Sequence, residues 1–216
     1  ISWDDREIKN AEIGCSLSHM AVWKKIAAKQ ETALILEDDA FWNKGELKKF
    51  ITESLPKCPD TDILYLGRNK ASNKKEKPIG KDNLFVDPAF SYNAHAYIIR
   101  SETASKLLST DILKNLVAID EVLVACWTKH RRDDFSKVFP PIIKAASFDA
   151  SKFEVWQQSL PDGYFSDIED TTSYASASNK KIYCFTVADD PTNEGLEKHI
   201  CSSTYYNVPI KILGLD

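Results

Sequence analysis

The sequence predicts an α/β fold, a sheet of largely buried strands with helices packed against it. Short continuous apolar runs, helical apolar spacing between them, and sufficient length carry that expectation. The chain has 216 residues, 43% of them hydrophobic, enough for one domain and the beginning of another. Its 28 Lys+Arg against 32 Asp+Glu leave a formal charge of -4, the wrong balance for a whole-surface nucleic-acid footprint. The five cysteines include no CxxC pair, which argues against a zinc ribbon and a disulfide-stapled miniprotein; their odd number leaves the redox compartment open. No apolar run approaches the roughly 20 residues that span a bilayer. The chain opens on Ile1 rather than on methionine or a basic-then-apolar leader, so the expectation is a soluble segment of something longer.

Taken in order, Ile13 to Gln30 contains no proline and, after Gly14, no glycine. Ile13, Leu17, Met20 and Ala27 form one apolar stripe and Cys15, Val22 and Ile26 a second, so this helix should be covered on both sides. Thr32-Ala33-Leu34-Ile35-Leu36 is too short for a buried helix and reads as a parallel strand covered on both faces. Asp62 to Leu66 and Ala94 to Ile99 read as further interior strands, the second followed by a helix from Ser101 to Leu108. Strands alternating with helices are what an α/β sheet requires.

Between those strands, Lys70, Lys74, Lys75, Lys77 and Lys81 crowd a polar stretch with Pro78 and Gly80. It is expected to be a solvated loop rather than a cover over an anionic ligand. Ile119 to Lys129 is a helix with Asp120 and Glu121 in its first turn, where the macrodipole favours acids. Gln157 to Asn179 is polar and Ser-rich, irregular chain passing into a linker. Lys181 to Val187, Asn193 to Tyr205 and Val208 to Leu213 then form strand, helix and strand, one βαβ unit of a second module.

The most informative residues are Glu37-Asp38-Asp39, three acids at the C-terminal end of a buried strand, where open α/β sheets bind ligands. Alternation along the strand sends Glu37 and Asp39 to one side and Asp38 to the other. Like charges about 4 Å apart repel by roughly 4 kcal/mol at an effective dielectric near 20, and a cation relieves that repulsion. Mg²⁺ or Mn²⁺, which prefer a few carboxylates plus phosphate oxygens, suit a site completed by a nucleotide diphosphate.

Several other residues carry two readings. His19, beside Val22 and Ile26, is expected to be an interior imidazole rather than a phosphate contact. Arg68, just past a strand end and a glycine, offers a fork for diphosphate or makes an ion pair. Trp3 and Trp156 are expected to pack rather than to stack on sugar or base. His130 closes a helix and receives no catalytic role. The cysteines are expected to be buried thiols or local bridges.

Ala11-Glu12-Ile13-Gly14-Cys15-Ser16-Leu17-Ser18-His19, then Trp23-Lys24-Lys25-Ile26, then ALILEDD from Ala33 to Asp39, resemble the entry pattern of family-25 glycosyltransferases. DILYLGR from Asp62, FSYNAHAYIIRSETASKLL from Phe90, IDEVL from Ile119 and DGYFSDIED from Asp162 resemble its procollagen galactosyltransferase branch. KIYCFTVADD and NVPIKILGLD, near the end, resemble the first and second strands of the glycosyltransferase domain of procollagen lysyl hydroxylases.

The resemblance implies a GT-A-like, Rossmann-type mixed sheet flanked by helices over residues 1–172, a linker at 173–180, and the start of a second GT-A-like module at 181–216. It implies transfer of galactose from UDP-galactose to hydroxylysine of collagen or a collagen-like polypeptide, with inversion and with Mn²⁺ or Mg²⁺. Carried over by position, Asp39 is the metal ligand, with Asp38 beside it, and Glu37 or Asp38 holds nucleotide or supports the ion. Arg68 is assigned to the donor diphosphate. For the general base, Asp120 or Glu121 is preferred, because a helix start near a sheet edge presents side chains into the crevice; the alternative reading is a pair of helix-start charges with no chemistry. Asp167 and Glu169 are a weaker acidic pair.

The family places a strand and helix ahead of the Glu12-Ile13-Gly14-Cys15 motif, where about eleven residues stand here. The expectation is therefore that a leading unit was cut away or lies elsewhere. No nucleic-acid partner and no membrane insertion are expected; a homodimer is left open. A cellular collagen modifier would work in the endoplasmic reticulum lumen, a viral one in the host cell or virion. Two other functions stay open on the same sheet: transfer to a lipooligosaccharide or glycolipid acceptor, and a catalytically silent adhesion or scaffold module.

Overall fold

The computed structural model of the chain describes residues 7–37, 40–43, 45–71, 74–80 and 82–157. Helix α1, Asn10–Lys29, starts three residues before the expected Ile13. Its first turn is fastened where a Glu12 carboxylate oxygen accepts the Lys9 N–H at 2.7 Å, half of a capping box. It stops at Gln30, whose φ of 54° leaves the helical region. Met20, Val22, Trp23 and Ile26 are buried, but Leu17 is 43% exposed. Of the two expected stripes, the one through Leu17 is therefore covered only in part.

Strand β1, Thr32–Leu36, is followed by β2, Ala40–Phe41, and by a short helix α2, Glu46–Lys49. The helix continues through a wide turn at Phe50–Ser54 and a tight one at Leu55–Lys57. Next come β3, Ile63–Lys70; β4, Lys77–Ile79; β5, Phe85–Asp87; and β6, Ser91–Arg100. Helices α3, Ser101–Leu108, α4, Ile119–Trp127, and α5, Asp133–Val138, then precede β7, Ala145–Phe148, and β8, Trp156–Gln157.

Six strands form a mixed sheet in the order β1-β6-β3-β7-β5-β4, and β2 pairs with β8 in a separate ribbon. Among the described residues, β3 and β7 are parallel and the other pairs antiparallel. Two expectations are corrected here. Strand β1 is apolar on both faces as foreseen, yet it runs antiparallel to β6 at a sheet edge; a continuous apolar run records two-sided burial, not the direction of the neighbour. The lysine-rich stretch is not loop throughout, because β4 within it pairs with β5. Pro78, which lacks an N–H, is tolerated there because β4 is an edge strand.

One face of the sheet packs Ile35, Ile63, Tyr65, Tyr97 and Ile99 beneath the helical layer of Trp23, Leu107, Val122 and Phe135. The opposite face packs Leu36, Leu64, Leu66 and Ile98 against Leu47, Phe50, Phe148 and Phe153. Each such side chain contributes on the order of 1.5–3 kcal/mol by leaving water. No helix among the described residues is long and apolar enough to cross a membrane.

The segment leading into β8 is tied to the main sheet at Val155, whose N–H donates to the Leu66 carbonyl at 2.9 Å. Gly67 makes this approach feasible: a Cβ there would overlap the His95 ring and the Val155 carbonyl oxygen. Residues 158–216, which include the expected linker and second module, lie outside the described residues.

Candidate active site

The ladder between β1 and β6 continues one residue past β1, where Glu37 N–H donates to the His95 carbonyl at 2.9 Å. The strand therefore delivers the Glu37 carboxylate to the sheet margin, 19% exposed, with one oxygen 3.3 Å from His19 Nε2. Asp38 and Asp39, the expected metal ligands, lie outside the described residues, as do Trp3, Asp167 and Glu169.

Beyond the end of β1, the first half of β6 meets the start of α4. Asn93, held at a φ of 63°, donates its backbone N–H to Asp120 Oδ2 at 3.0 Å. The other Asp120 oxygen accepts the Glu121 N–H at 2.9 Å. Asn93 also donates its amide to Gln157 on β8. Four segments that are distant in sequence thus converge: the end of β1, the start of β6, the first turn of α4, and β8.

Asp120 has its carboxyl raised from 3.8 to about 6. Loss of hydration is the largest cause; the Asn93 N–H opposes it, and the negative charges of Glu121 and Glu37 add to it. The residue as a whole is half-buried. That combination gives a carboxylate that is ionised at neutral pH yet far more basic than an ordinary aspartate.

Glu121, the alternative base, points elsewhere. It is 3% exposed, with His130 Nε2 at 2.6 Å and Arg131 Nη2 at 3.2 Å from its oxygens. His130 is in turn stacked on Phe135 at 4.2 Å and accepts the Arg132 N–H at Nδ1. Since that leaves Nε2 to donate, His130 and Glu121 act as a buried clamp on the turn after α4.

Arg68 is not aimed at the sheet margin. Its Nη2 lies 2.7 Å from both Glu76 oxygens, while Nη1 and Nε donate to the Ser91 and Ser147 hydroxyls. With Arg68 at 6% and Glu76 at 8% exposure, the fork expected to hold diphosphate is committed inside the protein. Glu76 also accepts the Ala89 N–H, so the pair fixes both ends of the segment between β3 and β6.

His19 is the interior imidazole foreseen from the helix stripe, its Nδ1 2.6 Å from the Tyr97 hydroxyl. Trp156, expected to pack, is 39% exposed beside Phe41 at 47%, their rings 6.2 Å apart at the open ribbon. Cys15, Cys58 and Cys126 are thiols, and burial raises Cys58 to about 11 and Cys126 to about 12.

Sequence reasoning passed over Asn93, His95, Gln157 and Glu76. His95 is 2% exposed and donates from Nε2 to the Val155 carbonyl at 2.8 Å. Its Nδ1 has no hydrogen-bond partner among the described residues. Burial holds its imidazole below the usual value, against the Val155 carbonyl and the charge of Glu37. A histidine inside an otherwise apolar strand was the available signal, as was Asn93, a residue type tolerant of positive φ.

Comparison with known proteins adds to this geometry. Residues 2–123 match the family described as Glycosyltransferase family 25 (LPS biosynthesis protein). Procollagen galactosyltransferase 1 of Danio rerio is 27% identical over 179 residues, covering 80% of this chain and 30% of that protein. Procollagen galactosyltransferase 1-B of Xenopus laevis is 31% identical over 171 residues, covering 76% and 28%. The human protein named Inactive glycosyltransferase 25 family member 3 is 27% identical over 143 residues, covering 64% and 24%. The chain thus spans about 30% or less of the length of these relatives.

Proposed function

The chain belongs to glycosyltransferase family 25, and from that premise we propose that it carries the catalytic margin of a metal-assisted galactosyltransferase. Its substrates are UDP-galactose and hydroxylysine of a collagen-like polypeptide, and a cellular form works in the endoplasmic reticulum lumen. The observation that carries this reading is the convergence of Glu37 and Asp120, with Asp120 raised to about 6. Galactose as the transferred sugar and procollagen as the acceptor class are what the names of the relatives called procollagen galactosyltransferase suggest.

In this reading Asp39 and Asp38 hold Mn²⁺ or Mg²⁺, and Glu37 orients the nucleotide. Carboxylates are the hard-oxygen ligands that such ions prefer. The ion, when bound, offsets negative charge growing on the departing UDP. Asp120 accepts the proton of the attacking hydroxyl, and with attack opposite the leaving group the anomeric centre inverts. Asn93 and Gln157 fix the floor of the site, and Phe41 with Trp156 offers an apolar surface to a sugar ring. Arg68 acts through Glu76 and Ser91, holding the wall rather than the donor.

The test is calorimetric titration of UDP with and without Mn²⁺, followed by labelled UDP-galactose with paired lysine and hydroxylysine collagen peptides. Metal-dependent UDP binding and labelling of the hydroxylysine peptide alone are expected. Equal labelling of both peptides overturns the acceptor assignment. Absence of metal-dependent binding indicates a silent module, a reading favoured by the relative whose name includes the word inactive.

A further inference from the structure

A second cluster of donor atoms lies on the helical side of the same strand end, and its chemistry differs from that of the acidic motif. Cys15 and His19 are four residues apart on α1 and therefore share a helix face. Glu37 reaches them from the end of β1. One ligand atom from each of the three lies within 4.8 Å of the other two.

Three atoms so placed share a point no farther than about 2.8 Å from each, 4.8/√3. Zinc bonds to sulfur, nitrogen and oxygen are about 2.0–2.3 Å, so side-chain movements of about 0.5–0.8 Å would close the site. One edge is already at coordination spacing. His19 Nε2 and Glu37 Oε1 are 3.3 Å apart, and two ligands about 2.05 Å from a tetrahedral ion are separated by about 3.3 Å.

The surroundings of His19 match what a ligating histidine requires. A metal-bound imidazole donates its other N–H to an oxygen, which fixes the ring. Here Nδ1 is 2.6 Å from Tyr97 Oη, and the rings of His19 and Tyr97 are stacked at 5.7 Å. The same hydroxyl accepts the Trp23 indole N–H at 2.9 Å. Tyr97 Oη can donate to Nδ1 while Nε2–H faces Glu37, or accept from Nδ1–H while Nε2 presents its lone pair to an ion. The site can therefore switch between empty and filled without losing that hydrogen bond.

We propose that Cys15, His19 and Glu37 bind a zinc-class divalent cation that fastens α1 to the end of β1. Thiolate and imidazole select Zn²⁺ over Mg²⁺ or Mn²⁺, three protein ligands leave a fourth position for water, and the Cys15 thiol loses its proton on binding. The site stands independently of the donor reading, although Glu37 borders both.

Co²⁺ titration of the full chain, reduced and under anaerobic conditions, tests this, because cobalt bound to thiolate absorbs in the near ultraviolet. One equivalent should produce that band, Zn²⁺ should displace it, and Cys15→Ser should remove it while circular dichroism is unchanged. Tyr97→Phe, which keeps the ring, should weaken Co²⁺ binding about 10- to 100-fold. If Cys15→Ser fails to fold, Glu37→Gln decides: binding at least 10-fold weaker supports the site, and unchanged affinity overturns it. Absence of the band in the wild type, or its persistence in folded Cys15→Ser, also overturns it. Loss of Mn²⁺-dependent UDP binding with the cobalt band intact refutes only the donor reading.

Discussion

Asp120→Asn separates catalytic need from folding need at one atom. Raising a carboxyl from 3.8 to about 6 disfavours its charged form in the fold by about 3 kcal/mol, at 1.36 kcal/mol per pH unit. The sign follows from proton linkage. Between about pH 4 and pH 6 the folded chain holds a proton that the unfolded chain has released, so stability falls as pH rises through this window. Above it the full cost is present. Asparagine never ionises, but its NH2 cannot accept one of the two backbone N–H groups that Asp120 takes, a pH-independent cost of about 1–3 kcal/mol. On top of that constant offset, the variant should gain about 3 kcal/mol relative to the wild type between pH 4 and pH 6.5. Urea unfolding across pH 4 to 8 measures this. Galactose transfer should fall by about 10²–10⁴ in the variant, and wild-type kcat/KM should decline below pH 6. A stability difference that does not vary with pH would refute the electrostatic account of Asp120, and undiminished transfer would refute its role as base.

Three other outcomes are expected. Glu76→Gln strands Arg68 in a site where both are under a tenth exposed and should cost about 3–5 kcal/mol by urea midpoint, with Arg68→Met/Glu76→Met recovering much of the loss. Gly67→Ala drives a methyl into the His95 ring and the Val155 carbonyl and should destabilise by about 1–3 kcal/mol, whereas Gly14→Ala, with open space around it, should not destabilise. Asp39→Ala should abolish metal-dependent transfer while circular dichroism stays unchanged; undiminished transfer would remove Asp39 from the site.

The elements that could be read from sequence were those whose own residues encode them. Helix α3 runs over the residues expected, Ser101–Leu108, and Asp120 and Glu121 do occupy the first turn of α4. The neighbour of β1 could not be read, because apolar content is the same in either strand direction. The Arg68–Glu76 pair was hidden for a similar reason. A glutamate in a lysine-rich polar stretch looks solvated until β4 and β5 fold that stretch back onto β3. At the site, their place at a helix start brought out Asp120 and Glu121 together; only the fold separates a carboxylate held by the Asn93 N–H from one clamped by His130. The cysteine and histidine of α1 were visible as stripe members, but their meeting with Glu37 depends on where β1 begins after the helix.

Gly67 and His95 also bear on how this protein can change over time. A side chain at 67 and an imidazole at 95 require the same volume, and the Val155 carbonyl closes the remaining space. Natural variants cannot acquire bulk at the first position merely by shrinking the second, because the Val155 carbonyl stays in place whatever residue stands at 95. Position 67 should therefore stay glycine across lineages wherever Val155 keeps its bond to Leu66, constrained by space alone even where catalysis has been abandoned.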